Sequence, residues 1–497
     1  MSAFTSWSPN KKTLVMKNIN KGLLTYLAFG LLATAACKKG PDSGQTPAPV
    51  NPVPPVTTPV KSEVAMWLTQ ADQKQLFQKQ DVSLIFGTAQ AAGLTINVDT
   101  SKTYQTIDGF GFALTGGSAT LINSLAESKK SALLSELFDT TGTHIGVSYI
   151  RISIGASDLS SSTFSYDDTP GDTELRNFSL DKEKSDLIPI LKRIIAINPK
   201  IKILACPWSA PAWMKDSNSF KGGSLKPEYF SVYAKYFVKY IQGMQDQGIT
   251  IEAITPQNEP LNPYNNPSML MLAADQGNFI KNNLGPEFQK VGIKTKIIVY
   301  DHNADHPEYA TAIYQDAAAS PYIDGAAFHL YGGNINAIGQ VHDQFPNKNI
   351  YFTEQATFAD GNFGGDLAYH ISNLIIGATR NWSRNVLEWN LASDPKYGPH
   401  TDGGCSTCLG AVTISSDFSR NVSYYIVAHA SKFVHPGAVR IYSDLESTIQ
   451  TVAFKNTDGT KVLIALNAGQ DATFNIKFNT KTINTFLKGG AVATYIW

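Results

Sequence analysis

The sequence predicts an α/β protein: a (β/α)₈ TIM barrel with a second, smaller antiparallel β-sandwich domain. Two patterns and one missing motif lead there. Between residues 106 and 391, short β-rich runs alternate with longer amphipathic stretches whose apolar residues recur at helical spacing. After residue 428 the helical period stops, and short alternating runs follow one another between Gly, Asn and Asp turns. The alternative for the first region is an open doubly wound sheet, but no GxGxxG or other phosphate-cradling loop supports it.

The first 37 residues are not fold. From Met16, "MKNINKGLLTYLAFGLLATAAC" places lysines first, then an apolar run, then small residues ending at Cys37. That is the layout of a secretory signal, and a cysteine directly after "TAA" looks like a bacterial lipoprotein cleavage site with Cys37 as the lipidated residue. The apolar run is short for a membrane span. Residues 38–63 are rich in proline and poor in large apolar side chains, so they read as an extended tether. The expectation is an exported lipoprotein on a bacterial outer membrane or cell surface, the periplasmic face included, with its lipid anchor as its sole contact with the membrane. With 41 basic and 41 acidic residues, no net charge argues for nucleic acid. The 21 tyrosines, 25 phenylalanines and 7 tryptophans suit sugar rings as well as a core.

The eight barrel strands, one to eight, are expected at 106–114, 147–154, 201–207, 251–257, 296–301, 323–331, 350–355 and 385–391. A helix over 118–138 joins strands one and two, and a long polar loop after strand two is expected to line a groove. The barrel then spans 106–428 and the sandwich 429–497, with residues 64–105, including a strand at 93–99, contributing to the sandwich. Cys405 and Cys408 in "GGCSTCLG" fit a zinc half-site, a redox pair or a small disulfide loop. No second CxxC exists to complete a zinc site, and an oxidising compartment favours the disulfide. Cys206 is expected as a buried free thiol.

In barrels of this kind the chemistry sits at the carboxyl ends of the strands. Strand four ends in Asn258 and Glu259, and strand seven in Glu354. The same face gathers Arg151 (strand two), Trp208 (three), Asp301 and His302 (five), His329 and Tyr331 (six), and Trp389 and Asn390 (eight). Two carboxyls across a cavity rimmed with aromatic residues point to glycoside hydrolysis, in which one carboxyl donates a proton and the other is ionised. Such chemistry needs no cofactor and no metal. The cluster "DHNADH" at 301–306 offers metal-type ligands, but a loop after strand five more simply uses them to line the groove.

At this point the motifs "YDDTPGDTELRNFSL", "CPWSAPAWMK", "TPQNEP", "AAFHLY", "YFTEQA" and "EWNLASDPKYGPH" resemble glycoside hydrolase family 30, which includes the lysosomal glucosylceramidases. The resemblance runs from about Ile107 to the final "TYIW" and leaves out the signal, the tether and residues 64–92. It implies a retaining double displacement with Glu259 as acid/base and Glu354 as nucleophile. It further implies that Asn258 holds the sugar 2-hydroxyl, that Trp208, Tyr331 and Trp389 line the subsite of the cleaved sugar, and that Arg151 lies buried beneath it. His329 joins these as a substrate-binding residue.

One departure bears on specificity. Glucosylceramidases have an aspartate after the "GFGGAxT" stretch of strand one, at the far edge of the bound glucose; Gly116 stands at the aligned position, followed by Gly117. Its loss predicts internal cleavage of a chain. The expected substrate is therefore a polysaccharide or glycoconjugate, with β-1,6-glucan first. An exo-acting, glucosylceramidase-like β-glucosidase is the alternative, and a non-catalytic glycan-binding lipoprotein comes third.

Overall fold

The computed structural model describes residues 62–89 and 91–497. The signal read at 1–37, Cys37 and nearly all of the tether therefore lie outside the described residues.

Eight parallel strands close into a barrel, at Gly109–Ala113, Tyr149–Ser153, Lys202–Cys206, Ala253–Ile254, Lys296–Ala304, Ile323–Gly333, Asn349–Glu354 and Ser383–Asn390. Strand eight pairs with strand one to complete the ring, with Asn385 opposite Gly109. Side chains on one face of a strand alternate with those on the other, so Tyr149 carries Arg151 inward with it, Leu204 carries Cys206, and Leu387 carries Trp389. These inward residues fill the barrel as a packed core.

The connection between strands one and two is two helices, Gly116–Ser124 and Glu127–Phe138, where a single one was expected. Leu125 and Ala126 are extended, which turns the chain so that Leu125 is buried. The long loop after strand two also departs from expectation. Only its start reaches the cavity described below; further on, Tyr166 stacks on Tyr240 and its hydroxyl bonds Glu183.

The second domain is one nine-stranded sheet. Its order is Gln78–Lys79, Ala65–Thr69, Val492–Ile496, Lys461–Asn467, Ile449–Lys455, Val439–Ser443, Thr95–Thr106, Ala472–Phe478 and Lys481–Leu487. The two ends of this sheet face each other: Met66, Leu463 and Tyr495 share a core with Phe474, Ile476 and Ile483. It is antiparallel except where Thr95–Val98 runs parallel to Asn475–Phe478. The strand Lys481–Leu487 was not read from the sequence because "KTINTFL" is an edge strand with half its side chains polar. The helix Val422–Ser431 runs across the boundary placed at residue 428, because every one of its residues is buried and it belongs to the barrel's packing.

Candidate active site

The site begins with Arg151, fully buried inside strand two. Its Nη1 donates to Glu354 Oε2 at 2.5 Å, and its Nη2 donates to Asn258 Oδ1 at 2.6 Å and Asp301 Oδ2 at 2.9 Å. The guanidinium lies 4.7 Å from the ring of Trp208 and 5.8 Å from that of Trp389, and the two indoles stand 5.3 Å apart. One arginine thus fixes strands four, five and seven beneath an aromatic floor.

The two glutamates reach the cavity by local irregularities that period-two counting misses. Thr353 faces inward and donates to Asp301 Oδ1, so regular alternation would turn Glu354 away. A register shift between Phe352 and Glu354 brings Glu354 opposite His329 instead. Strand four is only Ala253–Ile254, and Glu259 follows it with φ of 43°, its N–H donating to the Asp301 carbonyl at 2.9 Å. A non-glycine residue in this left-handed region stores strain of about 1–3 kcal/mol, of the kind found at functional sites.

Around the pair, Tyr331 donates its hydroxyl to Glu354 Oε1 at 3.1 Å, and Asn262 Nδ2 donates to Glu259 Oε2 at 2.8 Å. His329 bridges the pair from below: Nδ1 is 3.4 Å from Glu259 and 3.8 Å from Glu354, and Nε2 is 3.1 Å from Asp301. One oxygen of each glutamate and a nitrogen of His329 all lie within 4.8 Å of one another. The cavity that the two glutamates line has a volume of about 160 Å³. Drug-sized ligand pockets run to about 300–1,000 Å³, so this one suits a single sugar ring.

The charges of His329 and the two glutamates act on one another. Burial opposes a cation at His329, but Glu354, Asp301 and Glu259 outweigh it and push the imidazole up to about 9. Burial likewise disfavours the Glu259 carboxylate, yet the bond to and charge of His329 hold it down at about 2. Glu354 is raised, by burial first and by Glu259 and Asp301 besides, against the pull of His329 and Arg151. Two buried carboxyls this close ionise one after the other, so the pair keeps one proton above the usual carboxylate range.

The structure brings Glu259, Glu354, Asn258, Trp208, Tyr331 and Trp389 to one cavity, with Arg151 and His329 directly behind the glutamates. It places Gly116 elsewhere. Gly116 is the first residue of the helix Gly116–Ser124, a Cβ there would meet the Ser160 hydroxyl at 3.0 Å, and it does not line the cavity. The carboxyl at that edge comes from Asp158, in the loop after strand two. Burial, with Glu354 and Glu259 nearby, pushes Asp158 up to about 7 against the pull of the Cys405 N–H and the Asn265 side chain, and its buried Oδ1 makes no hydrogen bond of normal geometry among the described residues. Sequence reading missed it because a short "SD" in a polar loop carries no periodic signal. Asn390 serves the frame, accepting from Ser118 at 2.8 Å. The residues of "DHNADH" do not converge: Asp301 is buried under His329, while His306 pairs with Glu308 at 2.8 Å and is exposed. Cys405 and Cys408 are joined by a disulfide and line the cavity, and Cys206 is a buried free thiol.

Comparison with known proteins gives the same two-domain architecture. Residues 107–434 match the glycosyl hydrolase family 30 TIM-barrel domain and residues 437–495 the family 30 β-sandwich domain. An endo-1,6-β-D-glucanase of Trichoderma harzianum is 34% identical over 424 residues, covering 77% of this chain and 85% of its own. The lysosomal acid glucosylceramidase of Mus musculus is 27% identical over 475 residues, covering 89% of this chain and 90% of its own. Among solved structures, an endo-β-1,6-glucanase is 38% identical with a TM-score of 0.81, covering 87% of this chain and 99% of that one. The match runs through both domains, and the chain belongs to glycosyl hydrolase family 30.

Proposed function

We propose that this family 30 glycoside hydrolase cleaves β-1,6-glucan internally, with retention of configuration. The observation that carries the mechanism is the pair of carboxyl oxygens within 4.8 Å, at the ends of strands four and seven. Retaining enzymes hold their carboxyl groups about 5–5.5 Å apart, whereas inverting ones need about 6.5–9.5 Å to admit a water. Glu354 attacks the anomeric carbon while Glu259 gives its proton to the departing glycosidic oxygen. Glu259 then takes a proton from water, whose oxygen breaks the ester to Glu354 and releases the sugar. Arg151 and Tyr331 both donate to Glu354, which suits its ionised form as nucleophile. Burial and the charges around the pair together lower Glu259 and raise Glu354, the opposite placement of the shared proton, so the reactive state requires one proton to pass from Glu354 to Glu259. His329, within 3.8 Å of both, is placed to relay it.

The linkage is supported by the likeness to endo-1,6-glucanases in sequence and in structure. Gly116 no longer supports it, since Asp158 supplies a carboxyl at the cavity edge. That same carboxyl and the small cavity favour the second reading, an exo-acting glucosidase that removes one terminal sugar. Product analysis decides between them. Incubation with linear β-1,6-glucan, β-1,3-glucan and glucosylceramide is expected to give an early ladder of β-1,6-linked oligosaccharides; glucose alone, or release only from glucosylceramide, refutes endo action.

The enzyme is further proposed to be exported and held to the membrane by lipid on Cys37, on the strength of the "TAAC" signal layout. Mass spectrometry of the mature amino terminus tests this, and an unmodified Cys37 still joined to Ala36 overturns it.

A further inference from the structure

The loop that follows strand eight crosses the cavity mouth and is fastened to three other loops. The Thr401 N–H donates to the Asp158 carbonyl at 2.8 Å, in the loop after strand two. Asn266 Nδ2, in the loop after strand four, donates to the Asp402 carbonyl at 2.8 Å, and the Thr401 hydroxyl returns a bond to the Asn266 carbonyl. Cys408–Leu409 pairs antiparallel with Thr357–Phe358, just beyond Glu354 in strand seven. Inside this loop the disulfide closes a ring three residues apart in sequence, and both of its cysteines line the cavity. The Cys405 N–H donates to Asp158 Oδ2 at 3.4 Å, while Asp158 Oδ1 makes no hydrogen bond of normal geometry among the described residues, the Asn265 side chain in the same cavity being the amide that acts on this carboxyl. The approach is close: a Cβ on Gly404 would stand 2.4 Å from the Asp158 carbonyl oxygen.

A buried carboxyl oxygen with no well-formed hydrogen bond is costly, and a sugar hydroxyl in this cavity supplies one. We propose that the Cys405–Cys408 disulfide is a positioning element for the substrate: it pins the loop that holds Asp158 Oδ2, so that Oδ1 is aimed at a hydroxyl of the bound glucosyl unit. This rests on the reading that the cavity holds the cleaved sugar. The pair Glu259 and Glu354 takes its hydrogen bonds from Arg151, Tyr331, Asn262 and His329, none of them in this loop. Cutting the disulfide therefore loosens sugar binding and leaves bond cleavage alone. The effect is one of preorganisation, since a closed CxxC ring spends less conformational entropy on binding than an open loop.

The test measures kcat and KM on β-1,6-glucan oligosaccharides for the full-length protein. It compares the wild type, the wild type with dithiothreitol, the double variant Cys405→Ala/Cys408→Ala, the variant Asp158→Asn, and the triple variant. Reduction and the double variant are each expected to raise KM about tenfold with kcat within about twofold, as loss of one aimed hydrogen bond implies. Dithiothreitol then has no effect on the double variant, and the triple variant matches Asp158→Asn alone. An unchanged KM on reduction overturns the proposal, as do KM increases that multiply in the triple variant, because the loop then does not act through Asp158. Should the double variant fail to fold, Asp158→Asn with and without dithiothreitol completes the same cycle. A wild type inactive on every glucan refutes the proposed function instead, and is read separately from any change in KM.

Discussion

Glu354 and Glu259 differ in what holds them, and their replacement is expected to differ accordingly. Glu354→Gln keeps the side chain's shape and one acceptor oxygen for Arg151, with the Tyr331 hydroxyl turned to accept from the new amide, but cannot form the ester, so turnover on every substrate falls at least about a thousandfold while the fold is kept. Glu259→Gln removes only the proton donor. Activity on glucan falls by about 10²–10⁴-fold, while aryl glucosides whose leaving group needs no proton keep most of their first step. Initial rates on both substrate types check this, and substantial glucan activity in both variants refutes the assignment. His329 supplies a second test. As a cation it lowers both glutamates, so His329→Gln removes a charge that favours their ionised forms. Both carboxyl pKa values rise, and the profile of kcat/KM against pH moves to higher pH by about one unit or more. A profile unmoved by the substitution means that the imidazole is neutral in the working enzyme.

Among the elements, the start of the helix Gly116–Ser124 carries a prediction that separates two views of specificity. Thr115 caps this helix by accepting from the Ser118 N–H at 3.1 Å, and Gly116 packs toward Ser160 rather than toward the sugar. Gly116 is absent from the left-handed glycines, so its conformation is open to other residues. Gly116→Asp should therefore leave the product ladder on β-1,6-glucan unchanged, with a small loss of stability from the 3.0 Å approach to Ser160. A shift from oligosaccharides to glucose in this variant restores Gly116 as the residue that opens the cavity.

At the scale of the whole molecule, the sandwich and the barrel share a core. Val452, Phe454, Val462, Ile464 and Val492, on one face of the sheet, belong to the same buried cluster as the barrel strands and helices. Their neighbours Ala453, Leu463, Ala465 and Ala493 face the sandwich's own interior, which is why these strands read as nearly continuous apolar runs. Phe454 is fully buried, with its ring 6.2 Å from that of Phe110 in strand one. Phe454→Ala is expected to cost about 3–5 kcal/mol. It should lower the melting temperature in a single transition, because a common core couples the two domains. Two separated transitions in calorimetry refute that coupling.

What the sequence determined by itself was whatever a local period or a short motif encodes. Short β-rich runs alternating with amphipathic helical stretches marked all eight barrel strands, and "QNEP" and "FTEQ" marked the two glutamates at strand ends. Strand Lys481–Leu487 and the far half of Thr95–Thr106 escaped because their polar side chains carry too little apolar alternation to register. Tertiary structure alone decided the rest. The register shift that turns Glu354 inward depends on how strand seven pairs with strand six, which no property of "YFTEQ" reports. The choice of Asp158 over Gly116 at the cavity edge depends on loops from strands two, four, seven and eight meeting over the barrel mouth. Such contacts join residues up to hundreds of positions apart, and their energies arise only once the closed barrel has fixed where each strand ends.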